Sequence, residues 1–316
     1  MGSLPRQVSA YILRRIISAG VTLTLLATLV FFFLRLAPGG PFDDERAWPP
    51  EIKSNIDHQY GLDQPLYRQY LGWASDVAHG NLRESFQYIG HPVTEIIESG
   101  LPVSATLGAW ALFISLAVGI PLGCIAAWKI DSWWDSLATF ISIAGVSLPS
   151  YLVGSLLVLF FSAYLGWFPP ALWDERAAMV LPIATLAFRP LAVIARLTRT
   201  SMTEALQADY IRTARAKGVA SSSLIFKHAL KNSLIPVLTQ LGPLAGGLIT
   251  GSFIVELIFQ IPGLGKHFVQ AVLNRDYPIV MGVTLVYGTI LLSSNLISDL
   301  LYAWADPRVR LDAEHS

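Results

Sequence analysis

Apolar residues come in long unbroken runs along this chain, without the alternation of half-buried strands or the charged faces of soluble helices. Residues 16–34 are nineteen consecutive uncharged positions. As a helix rising about 1.5 Å per residue they cover about 28 Å, close to the thickness of a bilayer's hydrocarbon core. Residues 101–128 are uncharged throughout, and so are 136–172, although Gly166-Trp167-Phe168-Pro169-Pro170 closes the helical part near Leu165. The weakest run, 177–195, holds Arg189 and two prolines, Pro182 and Pro190, and two further runs follow at 232–255 and 277–298. Backbone groups in lipid must be bonded within their own segment, so each run predicts a helix. The expected fold is all-α: a polytopic membrane protein of six transmembrane helices at 16–36, 101–128, 136–165, 177–198, 234–257 and 277–304. The first run is expected to stay as a span. It exceeds a signal-peptide core, and Arg35-Leu36-Ala37-Pro38-Gly39-Gly40-Pro41 offers no small-residue cleavage pattern.

The segments between the runs set an orientation. With residues 1–15 in the cytoplasm, Arg6, Arg14, Arg15, Lys129, the seven Lys/Arg around the 199–233 loop, and Arg308 and Arg310 in 305–316 all fall on that side. The short outside loops, of which 258–276 is the second, carry only Arg176, Lys266 and Arg275. Lys and Arg concentrate in cytoplasmic loops, so both termini are expected there. The 37–100 loop, with four basic and ten acidic residues, is then an external insertion after the first span. Pro49-Pro50 starts a helix that Gly61 ends, and Asp63 is placed to cap a second helix over about 64–79. Tyr67, Tyr70, Leu71 and Trp73 give that helix an apolar stripe. The stripe either covers the chain's own bundle or rests on the membrane surface or a partner.

Composition sharpens this picture. Of 316 residues 53% are hydrophobic and 14% charged, against about 25% charged in soluble chains. A net charge of zero argues against a nucleic-acid partner. The single cysteine, Cys124, allows no intrachain disulfide and reads as a packing residue. The six histidines are scattered over loops without ligand spacing, and a constellation for a membrane enzyme is lacking. No GxxxxGK[ST] phosphate loop occurs; Gly263-Leu264-Gly265-Lys266-His267 has neither the spacing nor the hydroxyl. Neither a catalytic residue, a metal ligand nor a bound cofactor is therefore expected on this chain.

Charge concentrates in one place. Arg196, Arg199, Arg212, Arg215, Lys217, Lys227 and Lys231 face only Glu204 and Asp209. Residues 203–217 carry a helical pattern that Gly218 breaks, and Ser221-Ser222-Ser223 offers an N-cap for a further helix over 224–232. The result is a helix–turn–helix elbow with Ala214, Ala216 and Gly218 near its bend. Attraction to anionic lipid headgroups explains part of the charge; small residues at the tip suit close approach of another surface.

The string Ile211-Arg212-Thr213-Ala214-Arg215-Ala216-Lys217-Gly218, followed by His228-Ala229-Leu230-Lys231-Asn232 and Leu234-Ile235-Pro236-Val237-Leu238, resembles the coupling loop of ABC importer permeases of the peptide and nickel branch. Arg35-Leu36-Ala37-Pro38-Gly39, Gly61-Leu62-Asp63-Gln64-Pro65-Leu66, Gly119-Ile120-Pro121-Leu122-Gly123, Ile261-Pro262-Gly263-Leu264-Gly265, Asn274-Arg275-Asp276-Tyr277-Pro278 and Asp306-Pro307-Arg308-Val309-Arg310 extend the likeness over nearly the whole chain. The general importer motif reads Glu-Ala-Ala, three residues, Gly; here Arg212, Thr213 and Ala214 precede Gly218, the variant common in the peptide branch. The resemblance implies a type I importer permease in a bacterial inner membrane. Asp209, Tyr210, Arg212, Thr213, Ala214, Arg215, Ala216, Lys217 and Gly218 would seat in a cytoplasmic ATPase. Implied partners are a second, non-identical permease, two ATPase subunits that bind ATP and Mg, a periplasmic or lipid-anchored substrate-binding protein, and membrane lipid. Implied cargoes are oligopeptides first, with dipeptides, glutathione, nickel chelates or peptide antibiotics as alternatives. The paired broken helices and coupling acids of a secondary transporter are not evident.

Within the spans, Gly242, Gly246, Gly247 and Gly251 form overlapping small-xxx-small pairs suited to a helix interface or a pore wall. Arg189 and Glu256 are the ionisable candidates for such a place, Arg189 the deeper of the two. Glu256 and Arg35, near outer ends, either do this or snorkel.

Overall fold

A computed structural model describes residues 4–42 and 50–305. Arg6 falls among residues whose side chains are outside the description. The Asp306–Arg310 motif, the rest of the C-terminal segment and the stretch 43–49 lie outside the described residues. The elements are α1 (Leu4–Leu36), α2 (Pro50–Gln59), α3 (Leu66–Ala78), α4 (Val93–Trp128), α5 (Trp133–Ser147), α6 (Ser150–Leu157), α7 (Val180–Gln207), α8 (Asp209–Ala216), α9 (Ser221–Ser223), α10 (Leu230–Ser233), α11 (Ile235–Ile249), α12 (Phe253–Ile258), α13 (Leu264–Leu273) and α14 (Tyr277–Ala305). Among the described residues five helical stretches are long and apolar enough to cross a membrane, or six if the bent pair Trp133–Ser147 and Ser150–Tyr164 counts as one span. The chain divides into two units, 1–101 with 264–289 and 102–263 with 290–316, so α4 and α14 each contribute to both.

In the first unit, α1 leaves most of its apolar surface exposed and buries only Ala27 and Phe31, against Trp73 and Met281. Phe31, Phe32, Tyr70 and Trp73 form an aromatic cluster with T-shaped and stacked rings, and the Thr28 and Tyr70 hydroxyls are 2.8 Å apart. The stripe of α3 is therefore split. Tyr70 and Trp73 cover α1, while Tyr67 and Leu71 stay about 60% exposed (59% and 62%). The Arg35 guanidinium lies 3.5 Å from the Phe31 ring centroid and donates from Nε to Gln69 Oε1 at 2.9 Å. Pro65, not Asp63, occupies the N-cap of α3, without a side-chain hydrogen bond. Asp276 pins the segment before α4. Its carboxylate accepts from the Ser85 hydroxyl and the Gln87 N–H, and caps α14 through the Ile279 N–H.

In the second unit α7 is the axis, with 56% of its spanning window buried, the highest share among the candidate spans. The sequence ranked this segment weakest for its prolines. Yet Pro182 sits in the first turn, where its missing N–H costs nothing, and the helix continues past Pro190. Gly119 and Gly123 of α4 let α7 approach. A Cβ at Gly123 would lie 2.5 Å from the Ala195 carbonyl oxygen, and one at Gly119 3.0 Å from that of Leu191.

Two expected single spans are broken. The 136–165 run turns by 113° between α5 and α6, because Leu148 precedes Pro149 and is held extended at φ −84°, ψ 126°. The 234–257 run stops at Ile249 and restarts at Phe253. Gly251 there takes φ +83°, and the Ser252 side chain caps α12 by accepting from the Val255 N–H.

Candidate functional site

The elbow begins where Ala208 leaves helical geometry (φ −68°, ψ 149°) and α7 gives way to α8. α8 has two unlike faces. Ile211 is fully buried against Met202 and Ala205 of α7, Ala127 of α4, and Leu224 and Ala229, with Ala214 at the edge of the cluster. Asp209, Tyr210, Arg212, Thr213, Arg215, Ala216 and Lys217 are exposed on the other side. Asp209 in the first turn and Arg215 in the last complement the helix dipole. The Arg212–Asp209 pair, 3.8 Å apart and open to solvent, adds little.

Gly218 closes α8 at φ +80°. Its N–H reaches the Arg215 carbonyl at 3.0 Å, and the Val219 N–H reaches that of Ala214 at 3.2 Å. A Cβ at Gly218 would meet nothing within 4 Å, so its backbone conformation, not crowding, asks for glycine. The three serines do not cap the second limb. Ala220 is the N-cap and Ser221–Ser223 are the first turn, which widens into a π-helical stretch at Leu224–Ala229. The Asn232 side-chain amide donates to the Tyr210 hydroxyl at 3.1 Å, tying the limbs together. Phe226 projects from the π-helical stretch, 70% exposed, beside the exposed Lys227. Sequence reasoning passed over it, although an aromatic flanked by a lysine in a basic loop was the available signal.

The elbow's charge is also reapportioned. Arg199 donates as a fork to Asp135 of α5, Nε to Oδ1 at 2.5 Å and Nη2 to Oδ2 at 3.0 Å. It therefore belongs to the helix packing and not to the outward basic face, which is left to Arg212, Arg215, Lys217, Lys227 and Lys231. α8 is a small, firmly seated basic knob beside an exposed aromatic ring. No group of side chains able to hold a metal occurs among the described residues.

The remaining candidates do not gather into one site. Gly242 and Gly246 pack α11 against Leu291, Ser294, Asn295 and Ser298 of α14, whereas a Cβ at Gly247 would enter open space. Gly251 sits at the α11–α12 break next to the Glu256 carboxylate. Glu256 is fully buried, and its Oε1 accepts from the Ser104 hydroxyl at 2.8 Å. Arg189 is exposed, midway along α7.

Residues 119–311 match the family described as binding-protein-dependent transport system inner membrane component, and residues 8–102 match its N-terminal membrane component. The chain is 43% identical over 302 residues to the oligopeptide transport system permease protein OppB of Haemophilus influenzae, covering 95% of this chain and 99% of that one. Against the dipeptide transport system permease protein DppB of Bacillus subtilis it is 40% identical over 301 residues, 95% and 98% of the two chains. Among solved structures, one conformation of the MetNI methionine ABC transporter superposes with a TM-score of 0.54 at 18% identity, over 67% of this chain and 97% of that one. An amino acid ABC transporter crystallised with histidines gives 0.53 at 18%, over 66% and 94%. At that identity the two structures speak for the fold.

Proposed function

This chain belongs to the family of binding-protein-dependent transport system inner membrane components, and from that premise we propose that it is the permease subunit of an ATP-driven importer of peptides, oligopeptides first. The observation that carries the cargo is the 43% identity along the full length of both chains to an oligopeptide permease. Dipeptides are the second reading, supported by dipeptide permeases at 40–41%.

In this reading the chain supplies half of a passage, and a second, non-identical permease supplies the other half. ATP and Mg belong to two cytoplasmic ATPase subunits, and a periplasmic or lipid-anchored binding protein delivers the peptide at the insertion after α1. The N- and C-termini lie on the cytoplasmic side of a bacterial inner membrane. The face of α8 from Asp209 to Gly218 enters a cleft of the ATPase, with Arg212, Arg215 and Lys217 setting register. Burial of Ile211 supports this role, because a knob must be rigidly attached to pass a displacement to the spans.

The purified chain alone should hydrolyse no ATP, whereas the complex formed with its ATPases, second permease and binding protein should hydrolyse ATP faster when peptide-loaded binding protein is added. Proton-driven peptide uptake by the isolated chain in liposomes would overturn the reading. Gly218→Glu should leave membrane insertion intact and abolish uptake.

A further inference from the structure

We propose that the exposed faces of α7 and α11 form the wall of a hydrated passage, and that Arg189 is its cationic station for a carboxylate of the cargo. The second clause rests on the peptide reading above; the first does not.

The argument starts from what the spanning helices of the second unit leave uncovered. On α5 and α6 the large exposed side chains, among them Trp133, Phe140, Ile143, Tyr151 and Leu156, are apolar and suited to lipid, and the exposed polar ones, Ser136, Thr139, Ser147 and Ser155, are small and uncharged. On α7, the most buried candidate span, the exposed side chains after the first residue, Val180, are instead Arg189, Arg196, Thr200, Glu204 and Gln207. At about 100° per residue, positions 189, 196, 200 and 207 fall within an arc of about 40°, a single polar stripe about 27 Å long. Towards the other end of the helix, Pro182 and Thr185 near the same face are buried, so the stripe opens at Arg189.

α11 repeats the pattern. Its exposed positions include Gln240, Pro243 and Gly247, which share one face at helical spacing. The Met202–Ser233 contact at 3.5 Å sets the register of the two consecutive spans. Counting from it in opposite directions, Gln240 comes level with about Ala195 and Gly247 with about Arg189.

A guanidinium and a carboxamide facing hydrocarbon would be left without hydrogen-bond partners, at a cost of several kcal/mol each by general scales. Neither Arg189, Arg196 nor Gln240 makes a side-chain hydrogen bond or ion pair among the described residues. The face therefore meets water or a polar partner. Two arginines two turns apart, with no acid between them on the stripe, suit an anion that moves between weak stations better than one fixed partner carboxylate.

The test uses the single native cysteine. In a Cys124→Ala background, Gly247→Cys puts a thiol where an added Cβ meets nothing, and Phe140→Cys and Leu156→Cys report the lipid-facing side. The assembled complex is labelled with an anionic and with a cationic methanethiosulfonate of equal size. The 247 thiol should react at least about tenfold faster than those at 140 and 156, and it should favour the anionic reagent, since a cationic cleft concentrates anions. Arg189→Gln should remove that preference, and Arg189→Lys should keep it. In uptake assays Arg189→Gln should impair free-acid tripeptides about tenfold by the same focusing while sparing C-terminally amidated ones.

Labelling at 247 as slow as at 140 would overturn the passage, a second permease seated on this face being one way to produce it. A charge preference unaltered by Arg189→Gln, or equal loss for acid and amidated peptides, would overturn the station. A complex that labels as expected but imports no peptide would instead refute the peptide reading.

Discussion

At the residue scale, three side chains have measurable consequences that follow from their surroundings. Gly218 holds φ +80° in open space, so Gly218→Ala should cost about 1 kcal/mol through the backbone alone. Asparagine, which tolerates that region, should cost less, and coupled uptake should rank Gly, Asn, Ala. A ranking of Ala above Asn would point to side-chain contact instead. Asp135 is nearly buried and accepts the Arg199 fork along with the Asp131 N–H; Asp135→Ala should lower the thermal stability of the purified chain by about 2 kcal/mol, the worth of charge-assisted hydrogen bonds. Sequence reading placed Arg199 on the basic elbow because its partner lies 64 residues earlier, and a one-dimensional charge count registers no such pairing. His267, on α13, has its imidazole pKa held below the ordinary 6.5 by burial and then by the Lys266 ammonium. Above 6.5 the ring is neutral folded and unfolded, so it adds no pH dependence. As pH falls below 6.5 the unfolded chain takes the proton first, and stability drops until the folded-state pKa is passed. His267→Gln should flatten the decline in melting temperature from pH 7 towards 5; an unchanged slope would assign the acid sensitivity elsewhere.

At the scale of elements, the long apolar runs of the sequence coincide with long helices among the described residues, five of them candidate spans and a sixth if the bent pair is one, because in lipid the solvent dictates composition residue by residue. Hydropathy gave no sign of interruptions inside a run that stays apolar. Leu148-Pro149, where the chain turns, and Gly251-Ser252, where the helix pauses, were visible in the sequence, yet no charge marks them, and each run was read through as one helix. The glycine pattern of α11 was legible as a kind of surface but not as a division of labour, which depends on where α14 lies. A Cβ at Gly242 would lie 2.7 Å from the Ser298 Cβ and 2.8 Å from the Ser294 carbonyl oxygen, whereas at Gly247 it meets nothing. Gly242→Val should therefore force α11 and α14 apart and destabilise the chain by about 1–3 kcal/mol, as overpacking does. Gly247→Val should be neutral in a melting assay. Equal losses from the two variants would mean that the face of α11 at 247 is also packed in the assembled protein.

For the whole molecule, the proposed function asks how an ATPase in the cytoplasm would move a passage within the membrane, and the second unit offers a continuous mechanical path. α8 is attached to α7 by the Ile211 side chain among Met202, Ala205 and Leu224. α7 then runs unbroken from Gln207 back past Arg189, clamped to α4 through Gly119 and Gly123 and to α5 through the Asp135–Arg199 fork. A push on the elbow thus reaches the polar stripe by way of one packed helix, and coupling needs a contiguous element with two arrangements. The weakest joint is the Ile211 contact, since Ala208 interrupts the backbone between α7 and α8. Ile211→Ala should leave a cavity worth about 2–5 kcal/mol of local packing without touching the exposed residues that would meet the ATPase. Assembly and basal ATP hydrolysis should survive, while peptide imported per ATP consumed falls severalfold. Phe226→Ala should do the opposite, weakening assembly through loss of an exposed aromatic anchor while leaving the yield per ATP unchanged in those complexes that form. If Ile211→Ala kept the full yield per ATP, α8 would be a docking surface only, and the stroke would have to enter the spans elsewhere.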